Sequence, residues 1–139
     1  MNPVRHNPLA IAVATFLYFI LGAVWFTAFM NAWLLGIGRT KEELMAPGIS
    51  PFVAYGTALV CTLILAIFLS WLIQATGPQT HIRGVKIALI AWFGFVFTTW
   101  ATEYAFEARS LQILAINTGY SLTGMVLMGA ILGAWKKKA

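Results

Sequence analysis

Four apolar stretches, at about residues 9–30, 52–75, 85–106 and 111–135, limit what this chain can become. Three of them carry no charge at all, and the third carries only Lys86 and Glu103. At about 1.5 Å of rise per residue, each is long enough as a helix to cross a hydrocarbon layer about 30 Å thick. A water-soluble fold has no place for them. The chain is 139 residues long, 60% hydrophobic and 9% charged, whereas soluble domains are about one quarter charged and a core this small cannot hide so much apolar surface. Lipid offers no partner to an unpaired backbone group, so the spans must be helices. The expected fold is all-α: a single-domain integral membrane four-helix bundle running up-down-up-down.

Start and stop signals bracket the spans. Asn7 caps the first, with Pro8 at its first helical position, and Ser50-Pro51 opens the second in the same way. Thr76-Gly77-Pro78 closes the second span, and the third follows Gly84. The fourth, from Leu111 to Trp135, meets its first charge at Lys136. The only long connection covers residues 31–49. Within it "TKEEL" pairs Thr40 with Glu43 as a capping box, which predicts one short helix ending before Pro47-Gly48. The preceding "WLLGIG" sets Trp33 and two leucines against the headgroups.

Charge gives the orientation. With four spans, both ends of the chain and the loop at 76–84 share one side, which then holds Arg5, Arg83, Lys86, Lys136, Lys137 and Lys138. The other side holds Arg39, Lys41 and Arg109 with every acid in the chain: Glu42, Glu43, Glu103 and Glu107. By the positive-inside rule both termini are expected in the cytoplasm, in a multi-pass protein of the bacterial inner membrane. The "KKK" tail suits a solvated anchor over anionic headgroups and offers no nucleic-acid groove. The first apolar run is too long for a cleavable signal peptide and is followed by no small-residue cleavage pattern. Trp71 and Trp135 fall near the cytoplasmic ends, while Trp25 and Trp100 lie deeper, in the outer leaflet.

One cluster of polar residues stands out. "TEYAFEARS" (102–110) brings Glu103, Glu107 and Arg109 together at a tight turn between the third and fourth spans. On the descending helix Asn117, Tyr120, Ser121 and Gly124 recur at i, i+3, i+4 and i+7, a stripe that hydrocarbon would penalise. Two arrangements satisfy it. In one, Asn117 and Tyr120 bond across helices, Gly129-x-x-x-Gly133 admits a close neighbour, and Glu107 pairs with Arg109 at the rim. In the other, Glu103, Glu107, Arg109, Asn117 and Tyr120 line an outer-leaflet pocket bounded by Trp25 and Trp100, which takes a small molecule, lipid headgroup or cation.

The remaining chemistry is sparse. Cys61 is the only cysteine and lies in an apolar run, so disulfides and thiolate metal cages are excluded. His6 and His81 sit at the ends of the spans, outside haem-ligand positions and without carboxylate support for a metal. There is no aspartate, no phosphate loop and no nucleophile elbow, and the serines and threonines are expected to have no histidine near them that could activate a hydroxyl. Catalysis, cofactor and metal are not expected.

Gly22-x-x-Trp25-Phe26, Trp33, the Thr40-x-x-Glu43 helix, "EYAFEARS" and "INTGY" (116–120) resemble, in content and order, the bacterial membrane family known as domain of unknown function 1761. The resemblance runs along nearly the whole chain. It implies a small four-span protein with no established activity. It also implies asparagine where this chain has Glu103. The expected role is a binding or accessory subunit of a membrane assembly, as a homo-oligomer or within a larger complex. The alternative is a small oligomeric transporter or channel with a polar cavity open to the outer face. A third and weaker reading is an enzyme of lipid headgroups oriented by Glu107 and Arg109.

Overall fold

The computed structural model describes residues 4–46, 48 and 50–137. Pro47 and Ile49 of the long connection and Lys138 of the tail lie outside the described residues. Among those described, all regular structure is helical, and four helical stretches are long and apolar enough to cross a membrane. They are α1 (Pro8–Ala28), α4 (Pro51–Ala75), the composite third span His81–Phe106 and α7 (Leu111–Ala134). Between α1 and α4 lie α2 (Met30–Ile37) and α3 (Lys41–Met45). The third span comprises α5 (His81–Ala91), a π-helical segment (Trp92–Phe97) and α6 (Thr98–Phe106).

The caps follow from the residues that supply them. Asn7 Oδ1 accepts from the amides of Leu9 and Ala10, and Ser50 Oγ accepts from Phe52. Ser110 Oγ accepts from Ile113 at the start of α7. The Thr40–Glu43 capping box is complete in both directions, at 3.2 and 2.8 Å.

Two boundaries differ from those read in the sequence. The chain does not become a loop at residue 31: after a break at Phe29 it resumes as α2, which ends at Gly38 in the left-handed conformation (φ 66°). Leu35 stays exposed, while Gly36 presses its bare backbone against Ile113 of α7. The third span begins at His81, not after Gly84. Thr80 Oγ caps it by accepting from the Arg83 amide, and Gly84 lies inside the helix because it is a contact point and not a terminator.

That contact organises the bundle. α7 packs against α1, α4 and α5 in turn. A Cβ on Gly84 would collide with the Gly129 carbonyl oxygen, one on Gly129 with the Gly84 carbonyl, and one on Gly133 with the Thr80 carbonyl. Since lipid tails are as apolar as leucine, helices in a membrane associate through such close packing and not through hydrophobic exclusion. Ala10, Ala14, Ala66 and Ala88 bring the other backbones in around Met125, Met128 and Leu132.

The chain ends meet at one end of this bundle. Asn7 Nδ2 donates to the carbonyls of Trp135 and Lys136, Arg5 N donates to Gln74 Oε1, and Gln79 Nε2 donates to the Leu132 carbonyl. The opposite, distal end carries α2, α3 and the α6–α7 turn, and it is looser. The first ten residues of α4, from Pro51 to Val60, are exposed around the whole helix, and Phe52 is 89% accessible.

Candidate functional site

The distal end is organised by the turn that closes α6. The amide of Ala108 bonds the Ala105 carbonyl and that of Arg109 bonds the Tyr104 carbonyl, a Schellman closure. It places Ala108 at φ 51°, a left-handed residue with a side chain where glycine is usual. The side-chain contact such turns make between these two positions is here a cation over a ring: the Arg109 guanidinium lies 5.3 Å from the Tyr104 centroid. Glu107 Oε2 pairs with Arg109 Nε at 2.5 Å, both side chains half exposed.

Beneath the rim, Tyr104 is the buried anchor, at 4% accessibility. Its ring stacks on Trp100 (5.9 Å, 25°), and its hydroxyl oxygen accepts from Asn117 Nδ2 at 2.6 Å. Glu107, Arg109, Tyr104, Trp100 and Asn117 are therefore one connected group. One turn further along, Trp92 Nε1 donates to Ser121 Oγ at 2.9 Å, joining the π segment to α7.

Tyr120 and Trp25 belong elsewhere. The Tyr120 ring meets Tyr18 and Phe26 of α1 edge to face, and its hydroxyl donates to the Tyr18 carbonyl. Trp25 Nε1 donates to the Ile116 carbonyl, and its ring lies over Gly119. Gly22 and Gly124 make room for the tyrosines, since a Cβ on either would strike Tyr120 or Tyr18 respectively. Phe26 continues the set to Trp33 of α2. The stripe on α7 is thus divided: Asn117 and Ser121 face the third span, while Tyr120 and Gly124 face α1. Glu103 is exposed on α6, and among the described residues its carboxylate has no hydrogen bond or ion pair.

Tyr104 was not singled out in the sequence reading, although its spacing of i+4 from Trp100 was visible. A second group was also missed, at the end where the chain termini meet. Ser70 Oγ accepts from Gln74 Nε2 at 3.1 Å and lies 3.2 Å from His6 Nδ1, which corrects the expectation that no hydroxyl residue has a histidine near it. The two are 64 positions apart, and only the packing of the N-terminal segment on α4 joins them. Ser70 is 3% accessible and engaged with its own helix, so the pair clamps the segment and is not set out as an exposed nucleophile. Among the described residues no three His, Cys, Asp or Glu side chains converge on a metal position.

Fold and site together define an all-helical membrane protein of four apolar spans, with a sealed small-residue core at one end and a tyrosine-anchored polar rim at the other. The chain belongs to the family described as protein of unknown function (DUF1761), whose model matches residues 9–133. No curated protein and no solved structure matches it.

Proposed function

We propose that this protein is a non-enzymatic accessory or binding subunit of a bacterial plasma-membrane assembly, with both termini in the cytoplasm, and that its distal half contacts a neighbouring membrane helix. One observation carries the reading: among the described residues α4 from Pro51 to Val60 is exposed along its length, with the Tyr55 ring alone meeting an aromatic ring, that of Phe19 on α1, and Gly94 of the π segment forms a second exposed face with Thr98 and Thr102 of α6. Glycine and threonine at membrane depth are what helix–helix contacts use, whereas lipid gains nothing from them. Charge supports the orientation, since the described ions at the termini end are all cations: Arg5, Arg83, Lys86, Lys136 and Lys137.

A transporter reading draws less support. A polar path would have to continue through the half holding Ala66, Leu69, Ala88, Met125 and Met128, and these side chains pack together as apolar core. Mild-detergent purification with in-membrane crosslinking tests the proposal. A homo-oligomer or a reproducible stoichiometric partner is expected, and a monomer that copurifies with nothing overturns it. A pH-dependent flux in proteoliposomes that Glu103→Gln abolishes would favour the transporter instead.

A further inference from the structure

The third span is built in two unlike halves. Along α5 it is locked to α7 backbone against backbone through Gly84, Gly129 and Gly133, where there is no room for even a methyl group. From Trp92 to Phe97 its hydrogen bonding widens into a π segment, a form uncommon in helices and concentrated where they bend or work. Gly94, inside that segment, faces open space: a Cβ there would meet nothing within 4 Å.

Past this point the packing thins. Tyr104 is the only buried residue of α6. The hydroxyls of Thr98 and Thr99 turn back to the carbonyls of Gly94 and Phe95, at 2.8 and 2.6 Å. Such back-bonding bends helices, and here it keeps the carbonyls of the irregular turn satisfied without a neighbouring helix. On the other side of the pivot, beside the π segment and the end of α5, lies an apolar groove of about 200 Å³, walled by Leu65 and Leu69 of α4 and by Ala91, Phe95 and Val96 of the third span, with Met125 also lining it.

From this geometry we propose that α6 is a hinged arm. It pivots at the π segment about Gly94, it is latched to α7 by the Tyr104–Asn117 hydrogen bond, and its swing bends the π segment, whose Phe95 and Val96 wall the groove against α4. The fixed glycine contacts on one side of the pivot and the single polar latch on the other make motion of α6 independent of α5. Phe95 and Val96 lie both in the π segment and on the groove wall, so a change in the segment is felt in the groove.

The test uses the full chain in lipid nanodiscs with Cys61→Ala as background. Spin labels at Phe52→Cys and Phe106→Cys, both exposed at the distal ends of α4 and α6, report the opening by pulsed dipolar spectroscopy. A control pair at Leu9→Cys and Ile82→Cys, also exposed, reports the other end. Tyr104→Phe, which removes only the latch hydroxyl, is expected to raise the population at longer Phe52–Phe106 distances several-fold and to leave the control pair unchanged. Hydrogen exchange should rise across 95–107 and not across 84–91. An unchanged distal distribution in Tyr104→Phe, or equal broadening of both pairs, overturns the proposal.

Discussion

Asn117 Nδ2 donates to the Tyr104 hydroxyl oxygen across 2.6 Å, and this bond spans the turn between the third and fourth helices, 13 positions apart in the chain. Both residues stand on faces that would otherwise present polar atoms to hydrocarbon, so each answers the other's need for a partner. Above them the Arg109–Glu107 pair closes the rim, and beside them Trp100 covers the tyrosine ring.

Removing the Tyr104 hydroxyl should therefore cost little packing and one hydrogen bond. Tyr104→Phe is expected to lower stability by about 0.5–1.5 kcal/mol, the usual net worth of such a bond. Tyr104→Ala, which also empties a buried aromatic site, should lose about 3–5 kcal/mol. Unfolding in mixed micelles measures both, and an unchanged stability in Tyr104→Phe would show that the hydroxyl has no role.

Glycines divide into two classes by what surrounds them. Gly84→Ala or Gly129→Ala drives a methyl into a backbone carbonyl that cannot yield, and should destabilise by about 1–3 kcal/mol. Gly56→Ala, in the exposed part of α4 with open space around it, should be neutral or stabilise by up to about 1 kcal/mol. Thermal unfolding of the three variants side by side checks the order.

Ala108 occupies a backbone conformation that costs an L-residue roughly 1–2 kcal/mol. Ala108→Gly should raise stability by about 1 kcal/mol, and Ala108→Val should lower it, since branching at Cβ makes φ 51° harder to hold. Melting temperature in one detergent decides the matter, and a loss on Ala108→Gly would contradict the strain argument.

Because both side chains of the Glu107–Arg109 pair are half exposed, screening leaves it little energy. Glu107→Gln is expected to change stability by less than about 1 kcal/mol, with the difference shrinking at high salt. A large, salt-independent loss would mean that the pair is shielded by something the isolated chain does not contain.

Orientation gives a final expectation. In a Cys61→Ala background, Lys137→Cys should resist a membrane-impermeant maleimide on intact cells and react after permeabilisation, whereas Glu43→Cys should react without it. The reverse pattern would invert the assigned topology.

Much of the fold was legible because its signals are local. Asn7-Pro8, Ser50-Pro51 and Thr40–Glu43 cap helices through residues two or three positions away, and the Glu107–Arg109 pair spans two positions. Other features were not. Gly84 reads as a stop until Gly129 lies against it, and α2 reads as a loop until Gly36 meets Ile113. The π segment in "WFGFVF" has no sequence signature of its own.

The candidate site shows the same limit. Of the expected pocket, Glu107, Arg109, Asn117 and Trp100 join one group around Tyr104, yet helical spacing alone did not show that Asn117 turns to Tyr104 while Tyr120 turns to Tyr18. Nor did it bring His6 to Ser70.

By itself, then, the sequence determined that four oily segments exist, that they are helical, and where each begins within a few residues, because the bilayer penalises charge and unpaired backbone wherever they occur along the chain. Which helix lies at the centre, which glycines touch, and which tyrosine receives the buried amide were decided only by tertiary structure. In lipid these choices depend on the fit of surfaces distant in sequence, and hydrophobicity there is the same on every side.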